Sequence, residues 1–189
     1  DAFRLMSQLD SAFSKSSALL VPAPLNYCAD KQLLFMRNVE GTPVADQLDD
    51  ERAVQAVARA GKALAVLHRF TDESLAGRQA TSMVEDLEST ALGLISVLPE
   101  LGGDIDKLLT MMRVQLHQEQ AGEIGFIHGD FHPGQVLAAE GHCTAILDFD
   151  RSGHGEYLAD LGNFIAHLNL AKLSGAHIRV DALSQALVR

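Results

Sequence analysis

"FIHGDFHPGQVLAAEGHCTAILDFDRSGHGEYLADLGNF" runs from Phe126 to Phe164. It crowds His128, Asp130, His132, Gln135, Asp148 and Asp150 into 23 positions, interspersed with the apolar runs Phe126-Ile127, Val136-Leu137 and Ala145-Ile146-Leu147. Three short strands are predicted, at 124–127, 135–139 and 143–147. The last two read as a hairpin turning over "AEGH". A carboxylate beside such strands is costly to bury unless it is paired or bound to a cation. What compensates these groups is the functional question.

Asp130 stands on the loop between the first two strands. A lone carboxylate there is most simply a turn residue. Asp148 alters that reading, because it closes the apolar run "AILD". Gln135 starts the partner strand of the same hairpin. Mg²⁺ takes oxygen ligands, commonly one or two carboxylates with phosphate and water. Gln135 and Asp148 could supply two such oxygens, leaving Asp130 to accept a proton from a substrate hydroxyl. His128 reads as a packed, hydrogen-bonded loop residue. His132 either touches substrate or braces the loop. A zinc site built on both histidines and an aspartate lacks a further spaced ligand set. Asp150 is the start of a turn or an acid behind the metal. Asp160, between Tyr157 and Phe164, reads as a structural acceptor of backbone N–H groups.

The rest of the chain is mostly helical. Phe3, Met6, Leu9 and Phe13 predict a helix over 2–13. "LLVPAPLNY" is extended by its prolines, "KQLLFM" is a short strand, and "NVEGTPV" is a loop. Val54, Val57, Ala58, Gly61, Leu64, Ala65 and His68 predict a helix from about 48 to 70. Two more follow on Val84–Leu98 and Ile105–Leu116, then one on Tyr157–Leu168. The tail after Gly175 is also expected to be helical. At 189 residues, 47% apolar and 21% charged, the chain can bury a core. A formal charge of −10 disfavours a nucleic-acid partner. No apolar run is long enough for a membrane span. Cys28 and Cys143 form no Cys-x-x-Cys, so a reducing, cytoplasmic setting is expected. The start at Asp1 suggests a fragment or a trimmed chain.

"HGDFHPGQVL" followed by "ILDFD" resembles the catalytic segment of the aminoglycoside phosphotransferase and choline kinase family, which shares the protein-kinase fold. Its pattern is His-Gly-Asp-x-His-x-x-Asn, then an aspartate closing the next strand. The resemblance implies that Asp130 is the catalytic base and that Asp148 and Gln135 hold Mg²⁺. Gln135 replaces the usual asparagine, as in maltokinase-like members, and reaches one methylene further. "LLFMRNVEGTPV" is similar to the hinge, which implies that Arg37, Asn38 and Val39 meet adenine, with Leu137 also on the nucleotide. "ARAGKALAVLH" is similar to the helix after the hinge. "YLADLGNF" resembles the helix whose aspartate orders the catalytic loop. No Gly-rich phosphate loop and no strand with the nucleotide-binding lysine is recognisable; the family places both upstream of the helix at 2–13.

The expected fold is α+β and protein-kinase-like: mainly the helical large lobe plus hinge, with the small lobe largely absent. Residues 1–39 would be the small-lobe remnant and hinge strand, and 40–189 the helical lobe with the catalytic loop. The expected function is transfer of the ATP γ-phosphate to a hydroxyl of a sugar, amino alcohol or aminoglycoside-like molecule. One alternative is a non-catalytic nucleotide- or ligand-binding module. Another is a metallophosphoesterase-like hydrolase, whose further His and Asp ligands are not recognisable in the sequence.

Overall fold

The computed structural model describes residues 2–71, 83–118, 122–139 and 143–189. Helix α1 (Ala2–Phe13) buries Leu5, Met6 and Leu9. It leads into β1 (Leu19–Leu20) and the antiparallel pair β2 (Pro24–Cys28) and β3 (Leu33–Met36). β4 (Thr42–Pro43) and a 3-10 turn at Val44–Gln47 precede α2 (Ala53–Leu67). Next come α3 (Met83–Val97) and α4 (Gly102–Gln118), separated by the turn that Pro99 imposes. β5 (Ile124–Ile127), β6 (Val136–Ala138), β7 (Thr144–Ile146) and β8 (Gly153–Glu156) follow. α5 (Tyr157–Leu173) and α6 (Val180–Leu187) end the order.

The expected hairpin is present. β6 and β7 pair antiparallel with Val136 opposite Ile146 and Ala138 opposite Thr144. Residues 140–142 of its turn lie outside the described residues. β1 joins β7 in parallel and β4 joins β6 antiparallel, so the sheet order is β1-β7-β6-β4. This is not a doubly wound parallel sheet. Its buried side chains Leu19, Val136 and Ile146 meet a core built from α1, α2, α5 and α6.

Some boundaries differ from expectation for physical reasons. α2 begins at Ala53 rather than near 48, because the Arg52 N–H donates to Asp50 Oδ1 at 2.9 Å and holds the preceding turn. Its buried face is Ala53, Ala56, Val57, Ala60, Ala63, Leu64 and Leu67, while Val54 is exposed. Small residues let α6 approach closely. A Cβ on Gly61 would lie 1.9 Å from the Leu187 carbonyl oxygen, which explains a glycine in mid-helix despite its poor propensity. β6 starts one residue late because Pro133–Gln135 forms a 3-10 turn. The tail becomes helical only at Val180.

Two expectations about packing are corrected. Leu158 and Leu108, read as core-facing, are exposed. Among the described side chains of α3 and α4 only Ala91 is buried; their apolar periodicity does not feed the core. β8 was not expected. "GHGE" has no apolar alternation, and it is a strand because its backbone pairs with β5, Phe126 opposite His154 and Ile127 opposite Gly153. That pairing brings the residues after Asp148 back to the strand that launches the loop at His128.

Candidate active site

The loop from His128 to Gln135 is held mainly by α5. Asp160 is 1% exposed. Its Oδ2 accepts the His128 N–H at 2.8 Å, and its Oδ1 accepts the Gly129 N–H at 2.8 Å. The His68 Nε2 lies 2.9 Å from Oδ2, so that nitrogen carries the proton. Three donors therefore compensate the buried carboxylate. His68, just past α2, stacks on Tyr157 at 4.5 Å, and its carbonyl accepts the Tyr157 hydroxyl at 3.0 Å. Gly129 has φ +80°, and a Cβ there would lie 2.3 Å from the Arg151 carbonyl oxygen. Only glycine meets both demands.

His128 is fully buried against Phe131 and Phe149. Its Nε2 lies 2.7 Å from the Leu147 carbonyl oxygen, so Nε2 donates. Its Nδ1 accepts the Asp130 N–H at 3.2 Å. This pattern requires the neutral ring, and burial pushes its pKa below the ordinary histidine value. Both ring nitrogens face backbone groups, which leaves no lone pair for zinc. His128 braces the loop through both ring nitrogens.

Asp130 projects from this braced loop, half-buried. Asn163 Nδ2 donates to its Oδ1 at 3.3 Å and to the Phe131 carbonyl at 3.2 Å. Phe131 is buried against Phe164, with ring centroids 5.2 Å apart. His132 Nδ1 accepts the Gly134 N–H at 3.1 Å, and its ring stacks on His167 at 4.3 Å and 10°. Burial, and then the neighbouring His167, lower the His132 pKa, while the carboxylates of Asp130 and Asp148 oppose them. Both carboxylates thus act on this one ring.

Gln135 and Asp148 meet across the open end of the β6–β7 hairpin. Gln135 Nε2 donates to Asp148 Oδ2 at 3.2 Å, and the Leu147 N–H donates to the Gln135 carbonyl at 2.9 Å. Asp148 is exposed with φ +60°, a conformation uncommon for a residue with a Cβ and found preferentially at functional positions. Its carboxylate keeps acceptor capacity beyond Gln135 and the Asp150 N–H at 3.5 Å. An exposed carboxylate with an adjacent amide suits a hard cation that keeps most of its ligands as water and phosphate. Among the described residues no group of three or more His, Cys, Asp or Glu side chains could hold a metal by itself. Asp150 is exposed in a turn.

The residues expected at the hinge lie elsewhere. Arg37, Asn38 and Val39 line a cavity of about 590 Å³ together with Ser14, Leu20 and Ala139. Ala139 lies four residues beyond Gln135 along the hairpin, roughly 13 Å at strand rise. Leu137 sits between them, buried in β6 opposite Pro43. The cavity and the Gln135–Asp148 contact are therefore at opposite ends of one hairpin. The Arg37 N–H is engaged by the Ala23 carbonyl at 2.8 Å, so Arg37 has no amide to offer a base. Asn163, His167 and His68 were not singled out from the sequence as site residues. The available signal was spacing: 160, 163 and 167 share one face of α5.

The sequence profile of the phosphotransferase enzyme family matches residues 2–183. The chain belongs to that family. Solved structures agree on an α+β, kinase-like fold present in part. A choline/ethanolamine kinase family protein from Mesorhizobium loti superposes with TM-score 0.67 at 18% identity, covering 99% of this chain and 61% of that one. An aminoglycoside-3'-phosphotransferase of type VIII gives 0.65 at 17%, covering 100% and 72%. A glucosamine kinase gives 0.56 at 17%, covering 99% and 54%. The chain thus spans about three fifths of the first of these proteins. No curated protein matches it in sequence. Among the described residues no helix is long and apolar enough to cross a membrane.

Proposed function

We propose that this phosphotransferase moves the γ-phosphoryl group of ATP to a hydroxyl of a small molecule. The observation that carries the reading is the contact of Gln135 with Asp148 at the end of the hairpin, next to a loop that holds Asp130 on α5. Asp148 and Gln135 would hold Mg²⁺ through their carboxylate and amide oxygens. An ion bound there would supply neutralisation of charge on the ATP phosphates. Asp130 orients the acceptor hydroxyl and takes its proton as the acceptor oxygen bonds to phosphorus and the bond to ADP breaks. His132 stands on the same loop, two residues after Asp130 and three before Gln135, and can line the acceptor. Asn38 and Val39 offer backbone groups to adenine, and Leu137 packs beneath it. On this reading residues 1–39 are the hinge and part of a small lobe, and 40–189 the large lobe.

The two carboxylates have separate duties, which makes the reading testable. Mg·ATP affinity and turnover are measured in the full-length protein. Asp148→Ala should abolish Mg²⁺-dependent nucleotide binding. Asp130→Ala should bind nearly as wild type yet turn over ~10²–10⁴-fold more slowly, the range for a general base. Equal loss of binding in both would refute the division, and unchanged turnover in Asp130→Ala would remove the base assignment. One observation favours a second reading, a module that binds without turnover: the Gln135 amide donates to Asp148 and so satisfies it without a cation. Tight binding of Mg·ATP with no transfer to any acceptor would support that reading instead.

A further inference from the structure

We propose that Asn163 is the positioning residue for the catalytic carboxylate of Asp130, an assignment that rests on the reading of Asp130 as base. A carboxylate on a loop can rotate about two side-chain torsions. A general base must keep one oxygen within hydrogen-bond reach of the acceptor hydroxyl, and an error of about 1 Å can cost roughly 10²-fold in rate. Among the described residues, the side chain that holds the Asp130 carboxylate is Asn163, through Nδ2 to Oδ1 at 3.3 Å. The same nitrogen donates its other hydrogen to the Phe131 carbonyl at 3.2 Å. Both partners only accept, so the amide orientation is settled by chemistry.

The bond to Phe131 references the carboxylate to the backbone of its own loop. The amide is itself anchored, because Asp160 three residues earlier on the same helix face grips His128 and Gly129. Phe131 packs on Phe164, the residue after Asn163. With Oδ1 held, Oδ2 is the oxygen left for the acceptor. A purely structural asparagine would matter only through the Phe131 carbonyl and would act independently of Asp130.

A double-mutant cycle separates the two roles. The assay is Mg·ATP hydrolysis by the full-length protein, with water as acceptor. Asn163→Ala should lower turnover by roughly 10²-fold with the KM for Mg·ATP unchanged. Asn163→Asp, which keeps the volume but loses the donor, should fall as far and guards against a packing defect. In the Asp130→Ala background neither change should reduce the rate further, because groups acting as a unit are not additive. Equal losses in both backgrounds, or a loss carried by KM, would overturn the positioning role. So would an unaffected Asn163→Ala beside a crippled Asp130→Ala, which leaves the base assignment standing. Wild-type turnover in Asp130→Ala, or no turnover in the wild type, would remove that assignment and this inference together.

Discussion

His128 shows how one buried ring can brace a loop at two points. One ring nitrogen donates to the Leu147 carbonyl and the other accepts the Asp130 N–H. The ring therefore connects the residue before Asp148 to the proposed base. Only the neutral form does this. Burial holds its pKa below the ordinary value near 6.5, so the unfolded chain takes up a proton as pH falls through 6.5 and the folded chain does not. Stability should be full above about pH 7 and decline below 6.5, by at most about 1.4 kcal/mol per pH unit for one proton. Urea midpoints between pH 7.5 and 5.5 check this. His128→Asn, though less stable throughout, should show a shallower decline; an unchanged slope would place the effect elsewhere. Some slope remains from His132, whose pKa moves in the same direction.

At the scale of elements, α5 organises the loop. Asp160, Asn163 and His167 stand at offsets of three and seven residues and meet the loop at residues 128–129, 130–131 and 132 in turn. The helix and the loop thus run in register. His68 ties α2 to the same point through Asp160. Removing the carboxylate leaves two backbone N–H groups and the His68 ring without their acceptor. Asp160→Ala should cost about 2–5 kcal/mol, read as a fall in the urea midpoint, and Asp160→Asn should cost less because one oxygen remains. A change within about 0.5 kcal/mol for the alanine variant would mean that α5 does not hold the loop.

Across the whole molecule, the loop, the hairpin and the core helices form a single packed assembly. The β2–β3 pair, by contrast, leaves Leu25, Leu33, Phe35 and Met36 exposed, and a two-stranded pair alone is marginally stable. A ligand that binds only the folded state stabilises the whole cooperative unit. Mg·ATP should raise the thermal midpoint, by a stabilisation of about 2.7 kcal/mol at a hundred times its Kd. EDTA should remove most of that gain, and Asp148→Ala should not show it. A gain from ATP that survives EDTA would argue against Asp148 and Gln135 as the metal-binding pair.

The sequence alone determined what depends on neighbours along the chain. The hairpin at β6–β7, the helices and the polar residues of the loop were legible from strand-length apolar runs, 3.6-residue periodicity and the His-Gly-Asp and Leu-Asp spacing. Asp160 could be read as an acceptor because its position in the periodic pattern buries it. Tertiary structure decided what depends on contacts between distant segments. β8 exists by backbone pairing with β5 and has no side-chain signature. Exposure of α3 and α4 could not be read from their periodicity, since a stripe of apolar residues says nothing about whether a partner surface lies against it. Asn163 and His167 gained roles only when α5 was laid along the loop, because a helix face acquires meaning from what packs on it.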